Sequence, residues 1–370
     1  MLTNVLDWNA ERKDTLAALK KEKEPLIIWG RGEVAQRVQN LLEENDIKAS
    51  CFCEDACKQE EDYLGLPVLS WEMVQERYAH FNVILGHSRY QMGLFLKEKL
   101  GTQVKKIFYV HNPIYDVGFF DKDAIEQDLK EYQIAYDRLA DEKSKRNMVA
   151  FLNTGMTGDM KYIFSEFHQH MDLFHNELYT IGRWETYWDV GAFNGDTVRQ
   201  FRMVCCDKYK QIVAIEPDQE NFTELRKYTD TEKINRITLV QSGVWEKSGE
   251  MLFQAGRQQK SAILREGEDN DLEEKGCVKV SVQSLDDIAA QINIKEATLL
   301  KYNYYPYVAK GIKGAKKLIQ ENHPAIVARV GFDRMSVVEV VNELSNITND
   351  YKIYLRFNDA MMSALMLYAV

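Results

Sequence analysis

Two short segments constrain this chain more than any others. Tyr187-Trp188-Asp189-Val190-Gly191-Ala192-Phe193-Asn194-Gly195-Asp196-Thr197 is followed by Ile212-Val213-Ala214-Ile215-Glu216-Pro217-Asp218. An apolar run of strand length enters a turn with two glycines. A helix then opens with Val198 and Phe201 on one face, and a second apolar run ends in a carboxylate. Strand, helix and strand at this spacing predict a parallel sheet. Glycines are needed where backbone turns tightly and a ligand must approach with no Cβ in the way. Asp196 or Thr197 suits the first helical turn, where free amides need acceptors. Glu216, about 20 residues past the turn, sits where a carboxylate can accept hydrogen bonds from both ribose hydroxyls of an adenosine ligand. Pro217 ends that strand, and Asp218 starts a helix over Asn221 to Lys227. A third run, Ile237 to Val240, leads into Gln241-Ser242-Gly243-Val244, where an adenine pocket would close. The plain alternative is a tight turn in a ligandless sheet, with Glu216 capping a helix.

A similar plan occurs near the N-terminus. A helix is predicted over the first twenty or so residues, around Leu16 and Leu19. Leu26-Ile27-Ile28-Trp29 then ends at Gly30-Arg31-Gly32-Glu33-Val34-Ala35, and Val34, Val38, Leu41 and Leu42 follow at helical spacing. The run Ala49 to Cys53 ends in Glu54-Asp55. Val83 to Gly86 and Lys106 to Val110 read as further buried strands, with a helix from Tyr90 to Leu100 between them. Gly30-x-Gly32-x-x-Ala35 with Glu54 or Asp55 is a dinucleotide-type fingerprint. Nucleotide binding by Gly30, Gly32, Glu54 and Asp55 is therefore one expectation, and a scaffold without ligand is the other. His87 and Ser88 would face the same crevice.

From about Asp121 to Phe167 charges dominate, and apolar residues recur with helical period. Gly155 and Gly158 are predicted to fall in a break. The expected organisation is α/β: two Rossmann-like domains, with parallel or mixed sheets flanked by helices, joined by a helical connector. The N-terminal Rossmann-like domain covers 1–115, the connector 116–184 and the second domain 185–370.

Composition excludes some partners. With 45% apolar and 28% charged residues the chain has real cores, and no apolar run approaches bilayer length. The N-terminal stretch carries Asp7 and Glu11 without a long apolar block, so no signal peptide is read and a cytoplasmic location is expected. A net charge of -10 speaks against a nucleic-acid partner, which would demand a basic face. Cys51-x-Cys53-x3-Cys57 invites a zinc reading, but no second knuckle follows; buried reduced thiols are expected and no metal.

The stretch Asp189 to Thr197 resembles the first motif of FkbM-type methyltransferases, and Glu216-Pro217-Asp218 resembles the acidic motif that follows it. The resemblance continues through Gly243-Val244-Trp245, Ser281 to Asp287 and Lys313-Gly314-Ala315. It persists to Tyr351 through Phe357 and the closing strand Ala364 to Val370, nearly the whole second half. It implies an O-methyltransferase fold using S-adenosylmethionine, in a family often associated with sugars, polyketides and related secondary products. The cofactor contacts then expected are Asp189, Gly191, Ala192, Phe193, Asn194, Gly195, Thr197, Glu216, Pro217, Ser242 and Gly243. The Gly30 segment in turn resembles small Rossmann-like segments fused ahead of some such proteins.

The chain departs from the family pattern after the fourth strand, where Lys-Ile-Asp-x-Glu-Gly-Ala-Glu is typical. Here it reads Lys301-Tyr302-Asn303-Tyr304-Tyr305-Pro306-Tyr307-Val308. Lys301, Asn303 and Tyr305 are the candidates for the acceptor side, yet Asn303 cannot serve as a base near neutral pH. Methyl transfer needs little beyond alignment of donor and acceptor, so transfer is compatible with that loss. Tyrosine faces would hold a sulfonium or stack on a flat substrate; alternatively, they pack a degenerate site. Downstream, Val330-Gly331-Phe332-Asp333 replaces a common Tyr-His. Three readings follow: a methyltransferase for a sugar or other small molecule, a non-catalytic binding or scaffold protein of the same fold, and an N-terminal ligand reader with a C-terminal partner surface. An oligomer is compatible with each.

Overall fold

The computed structural model describes residues 1–8, 15–55, 57–87, 91–110, 119–166, 173–254, 262–263, 277–304, 307–331, 333–358 and 364–370. The first sheet comprises β1 (Leu26–Trp29), β2 (Cys51–Cys53), β3 (Glu61–Tyr63), β4 (Leu66–Leu69), β5 (Phe81–Leu85) and β6 (Val104–Tyr109). Its order is β3-β4-β2-β1-β5-β6, parallel except for the β3–β4 hairpin. Strand periodicity decides its two faces. Ile28, Phe52, Val68 and Ile84 pack with Ala35, Val38 and Leu42 of helix Glu33–Glu44. Their neighbours Ile27, Cys51, Cys53, Val83 and Leu85 pack on the opposite side with Leu96 and Leu100 of helix Gln91–Leu100. Burial on both faces is what the unbroken apolar runs demanded. It also pushes the Cys51 thiol up to about 12, which favours inert, reduced sulfur.

The second sheet begins with β7 (Thr186–Val190), β8 (Gln211–Ile215) and β9 (Ile237–Val240). The chain then leaves it for a small sheet of β10 (Gly243–Val244), β11 (Gly249–Gln254), β12 (Ala262–Ile263) and β13 (Cys277–Gln283). It returns through β14 (Leu299–Tyr302), β15 (Ala325–Val330), β16 (Ile353–Asn358) and β17 (Ala364–Ala369). The order is β16-β17-β15-β14-β7-β8-β9, with β17 antiparallel to both neighbours. Strand order therefore reverses between β1 and β5 in the first sheet and between β7 and β14 in the second. Ligand crevices of open α/β sheets lie outside the carboxyl ends of the strands at such reversals.

Among the described residues, helices Lys122–Gln127, Leu129–Arg138, Glu142–Thr157 and Lys161–Phe164 follow the first sheet. Helix Glu142–Thr157 and the residues flanking it meet one edge strand of each sheet, β16 and β6. At its start the Ala140 N–H donates to the Ile353 carbonyl at 2.8 Å, Ser144 Oγ accepts the Leu355 N–H at 3.0 Å, and Asn147 Nδ2 donates to the Leu355 carbonyl at 2.8 Å. At its end the Tyr109 N–H donates to the Gly158 carbonyl at 2.7 Å, and the Met160 N–H to the Ile107 carbonyl at 3.1 Å. Open strand edges invite pairing with other chains, and this segment occupies the edges at β6 and β16. One apolar cluster accordingly runs from Leu85 through Met156 and Phe151 to Leu355.

Two local expectations need correction. Gly155 lies inside helix Glu142–Thr157, not in a break; it is small because the Phe120 ring fills the space where a Cβ would sit. Gly158, at φ 69°, is the left-handed residue that ends that helix. The first twenty residues do not form one helix. A 3-10 turn at Leu2–Asn4 precedes helix Thr15–Lys20, and the Leu2 and Asp7 amides instead donate to Gln133 and Asn153 of the connector. The expected border at 115/116 lies outside the described residues. Among the described residues no helix is long and apolar enough to cross a membrane.

Candidate functional site

Beneath the glycine turn that follows β7 lies a closed polar ring. Asp189 and Lys301 are register partners on β7 and β14, and neither side chain is exposed. Lys301 Nζ donates to Asp189 Oδ1 at 2.6 Å, to the Gly191 carbonyl at 2.8 Å and to Thr197 Oγ1 at 3.2 Å. The Thr197 hydroxyl donates in turn to Asp189 Oδ2 at 2.6 Å. Burial pushes the Asp189 carboxyl up, and Lys301 and Thr197 oppose that. Lys301 therefore does not line the acceptor side as expected, and the Asp189 side chain does not face the cofactor as expected; both are wholly buried beneath the turn.

The turn's glycines have local causes. Gly191 has φ 77°, and a Cβ there would lie 2.5 Å from the Asn303 carbonyl oxygen. Gly195 has φ 87°, with the Tyr228 ring 2.8 Å from a Cβ. Most amides of the turn are engaged within the protein. Those of Gly191 and Ala192 donate to the Ile215 carbonyl at 3.0 Å each, that of Gly195 to the Ala192 carbonyl at 2.9 Å, and that of Phe193 to Glu216. Asn194 differs: its Oδ1 is buried among the described residues without a hydrogen-bond partner.

Glu216 ends β8 and is 6% exposed. Its Oε2 accepts the Phe193 N–H at 2.9 Å and its Oε1 the Asp218 N–H at 3.0 Å. Burial pushes the carboxyl up to about 7, against these amides and Asn221. Pro217 carries the chain to Asp218, which caps helix Gln219–Thr231 by accepting the Glu220 and Asn221 amides at 3.0 Å. Ser242 and Gly243 lie past the end of β9. The Ser242 hydroxyl donates to the Gly243 carbonyl at 2.9 Å and reaches the Ser281 carbonyl at 3.2 Å, while Gly243 pairs with Val282. Both residues thus anchor the small sheet, which sequence periodicity did not reveal.

Of the residues expected on the acceptor side, Asn303 donates its N–H to the Val190 carbonyl at 3.0 Å, and its side chain is half-buried. Tyr305 lies outside the described residues. Tyr304 packs on Gly311, its hydroxyl donating to the Tyr307 carbonyl at 3.3 Å, and Tyr307 meets Trp245 edge-on at 4.8 Å. Past β15, Asp333 accepts the Met335 and Ser336 amides at 2.8 and 2.9 Å just ahead of helix Ser336–Ile347. Arg334 pairs with Asp128 at 2.5 Å, and the Tyr132 hydroxyl donates to the Arg334 carbonyl at 3.0 Å. The connector therefore holds the loop after β15. Sequence reading missed this contact because its partners lie some two hundred positions apart and carry no motif.

In the first sheet, Gly30 has φ 107° and donates its N–H to the Cys53 carbonyl at 2.9 Å. A Cβ on Gly86 would lie 2.6 Å from that of Ala35, whereas one on Gly32 would meet nothing within 4 Å. Glu54 pairs with Arg31 at 3.0 Å, Arg31 also reaches Glu61 at 2.7 Å, and Asp55 pairs with Lys99 at 3.2 Å. Both carboxylates expected to meet a ribose are thus turned to cations of the chain itself. His87 stands 5.9 Å from Trp29, ring to ring, and Ser88 lies outside the described residues.

Residues 189–348 match the Methyltransferase FkbM domain. This part of the chain is similar to FkbM methyltransferase domains. No curated protein matches the sequence. Among solved structures, the methyltransferase FkbM of Methylobacillus flagellatus KT is similar at a TM-score of 0.68 and 20% identity, over 99% of this chain and 95% of that one. The fold on both sides of the connector thus recurs there together with the FkbM domain. Precorrin-6y C5,15-methyltransferase of Geobacter metallireducens GS-15 (TM-score 0.32, 11% identity, 51% of this chain and 81% of that one) is a more distant match. So is Aeropyrum pernix fibrillarin, solved with bound S-adenosyl-L-methionine (TM-score 0.34, 9% identity, 51% and 67%).

Proposed function

We propose that this protein is an S-adenosylmethionine-dependent methyltransferase acting on a sugar or another small molecule, with the donor bound where the Gly191–Gly195 turn faces Glu216. The observation that carries the reading is the pairing of a buried carboxylate with an orphaned acceptor at the strand-order reversal of an FkbM domain. A carboxylate offers about four acceptor positions. Two backbone amides and Asn221 draw on those of Glu216, which leaves room for a ribose hydroxyl. Asn194 Oδ1 can accept from the ligand's amino or hydroxyl groups.

The donor, when bound, supplies a sulfonium methyl group to a nucleophile. The chain's own contribution is orientation. Glu216 orients the ribose, the rigid turn sets the distance to β14, and Asn303 there offers both a donor and an acceptor to the incoming group. Asn303 takes no proton, so transfer would rest on alignment, with the acceptor's hydroxyl proton passing to solvent as the methyl leaves sulfur and S-adenosylhomocysteine remains. The N-terminal crevice, with Glu54 spent on Arg31, fits a scaffold better than a nucleotide site.

The test is incubation with isotopically labelled S-adenosylmethionine and a panel of sugars, glycolipids and hydroxylated small molecules, followed by mass spectrometry. Label in an acceptor, lost in Glu216→Ala, supports the reading. Tight donor binding without transfer to any acceptor would favour the binding or scaffold alternative.

A further inference from the structure

Lys301 is the side chain that sequence resemblance placed on the acceptor side and that the geometry removes from it. An ammonium carries three donors and no acceptor. Each of its donors has a partner: Asp189 Oδ1, the Gly191 carbonyl and Thr197 Oγ1. With no exposure, Lys301 touches neither a bound donor nor an acceptor. Its three partners, however, belong to the three parts that shape the donor site. Asp189 is on β7, Gly191 is in the turn, and Thr197 is in the first turn of helix Asp196–Cys205. Lys301 itself is on β14, two residues before Asn303, whose carbonyl presses against Gly191. We infer that Lys301 is the positioning residue of the donor site: by fastening the Gly191 carbonyl and Thr197 to Asp189, it sets the turn's height over the crevice and locks it to the acceptor strand. This rests on the donor-site reading above.

A buried ion pair need not be there for stability, since apolar replacement of both partners is often neutral. Fastening a carbonyl at the apex of a left-handed turn is a task that an apolar pair cannot perform. The separation of those two roles is the test. Binding of S-adenosylhomocysteine to the full chain is measured by calorimetry, with thermal unfolding in parallel, for the wild type, Lys301→Met and Lys301→Met/Asp189→Asn. The single variant leaves a buried carboxylate unpaired and should lose both stability and affinity. The double variant, with no buried charge, should recover most of the melting temperature yet stay weaker for the ligand by about tenfold or more, the loss expected from one charge-assisted hydrogen bond.

A double variant that binds within about twofold of wild type, a difference well under one such hydrogen bond, would overturn the inference. Should that variant not fold, Thr197→Val decides. It keeps the ion pair and removes the bridging hydroxyl, and it should weaken binding by about threefold or more, the loss of a single neutral hydrogen bond. Unchanged affinity in Thr197→Val would likewise contradict the role. A wild-type protein that binds no ligand would overturn the donor-site reading itself, a result distinct from intact wild-type binding with unaffected variants.

Discussion

Glu216 Oε2 accepts the Phe193 N–H at 2.9 Å, so the carboxylate that ends β8 also braces the turn that ends β7. One side chain thus serves the scaffold and, on the proposed reading, the ligand. Phe193 is held at φ 49°, a left-handed conformation that an aromatic residue seldom adopts, and this hydrogen bond helps to hold it there. A turn shaped before any ligand arrives reduces the ordering cost of binding.

That bond has a pH signature. Burial raises the Glu216 carboxyl to about 7 from an ordinary 4.5. Between those values the folded protein keeps a proton that the unfolded chain has lost, so stability falls as pH rises through the window and is level above it. The change should amount to about 3 kcal/mol at most. Urea unfolding across the window should show this slope in wild type and its loss in Glu216→Gln. Ligand affinity should run the other way. Ribose hydroxyls donate to the ionised form, so S-adenosylhomocysteine should bind progressively more weakly below about pH 7, by at most about tenfold per pH unit.

Arg356 is 2% exposed and gathers the connector onto β16. It donates to Asp141 at 2.7 Å, to Glu177 at 2.9 Å and to Ser144 at 2.9 Å. Although burial would raise the Asp141 carboxyl, Arg356 and Ser144 hold it down to about 2. Arg356→Met should cost about 3 kcal/mol, the lower end for breaking a buried pair, because both carboxylates remain partly open to water. Denaturant unfolding should report a lower midpoint with an unchanged slope.

The N-terminal glycines separate packing from ligand approach. Gly86→Ala would force a Cβ into Ala35 and the Trp29 carbonyl, and should cost about 1–3 kcal/mol. Gly32→Ala meets open space at φ −84°, so its cost should be near the helix-cap preference alone, about 0.5 kcal/mol. Thermal unfolding of the two variants side by side checks the difference. Equal losses would mean that the Gly32 loop is packed against something that the fold described here does not provide.

Much of this site was legible in the amino-acid order, for a physical reason. A buried parallel strand must be apolar along its length, its turn must admit positive φ at Gly191 and Gly195, and a carboxylate such as Glu216 just past its neighbour stands out against the apolar run. All of that is local and periodic. What stayed hidden depends on contacts between distant positions. Lys301 faces Asp189 across the sheet rather than the crevice, and Gly155 serves Phe120 rather than a break. Tyr132 meets the Arg334 loop without any motif, and Glu54 ends its strand as a fingerprint predicts yet is engaged by Arg31. Ser242 and Gly243, at the close of a familiar strand, anchor a small sheet whose strands are too short and too interrupted to read from alternation.

A crystal structure with S-adenosylhomocysteine tests the central claim most directly. The account predicts the adenosyl group at the carboxyl ends of β7 and β8, with a ribose hydroxyl on Glu216, Asn194 Oδ1 engaged and the Glu216–Phe193 hydrogen bond retained. Density for the ligand elsewhere, or a crevice between Gly191 and Glu216 filled by the protein's own side chains at saturating ligand, would contradict it.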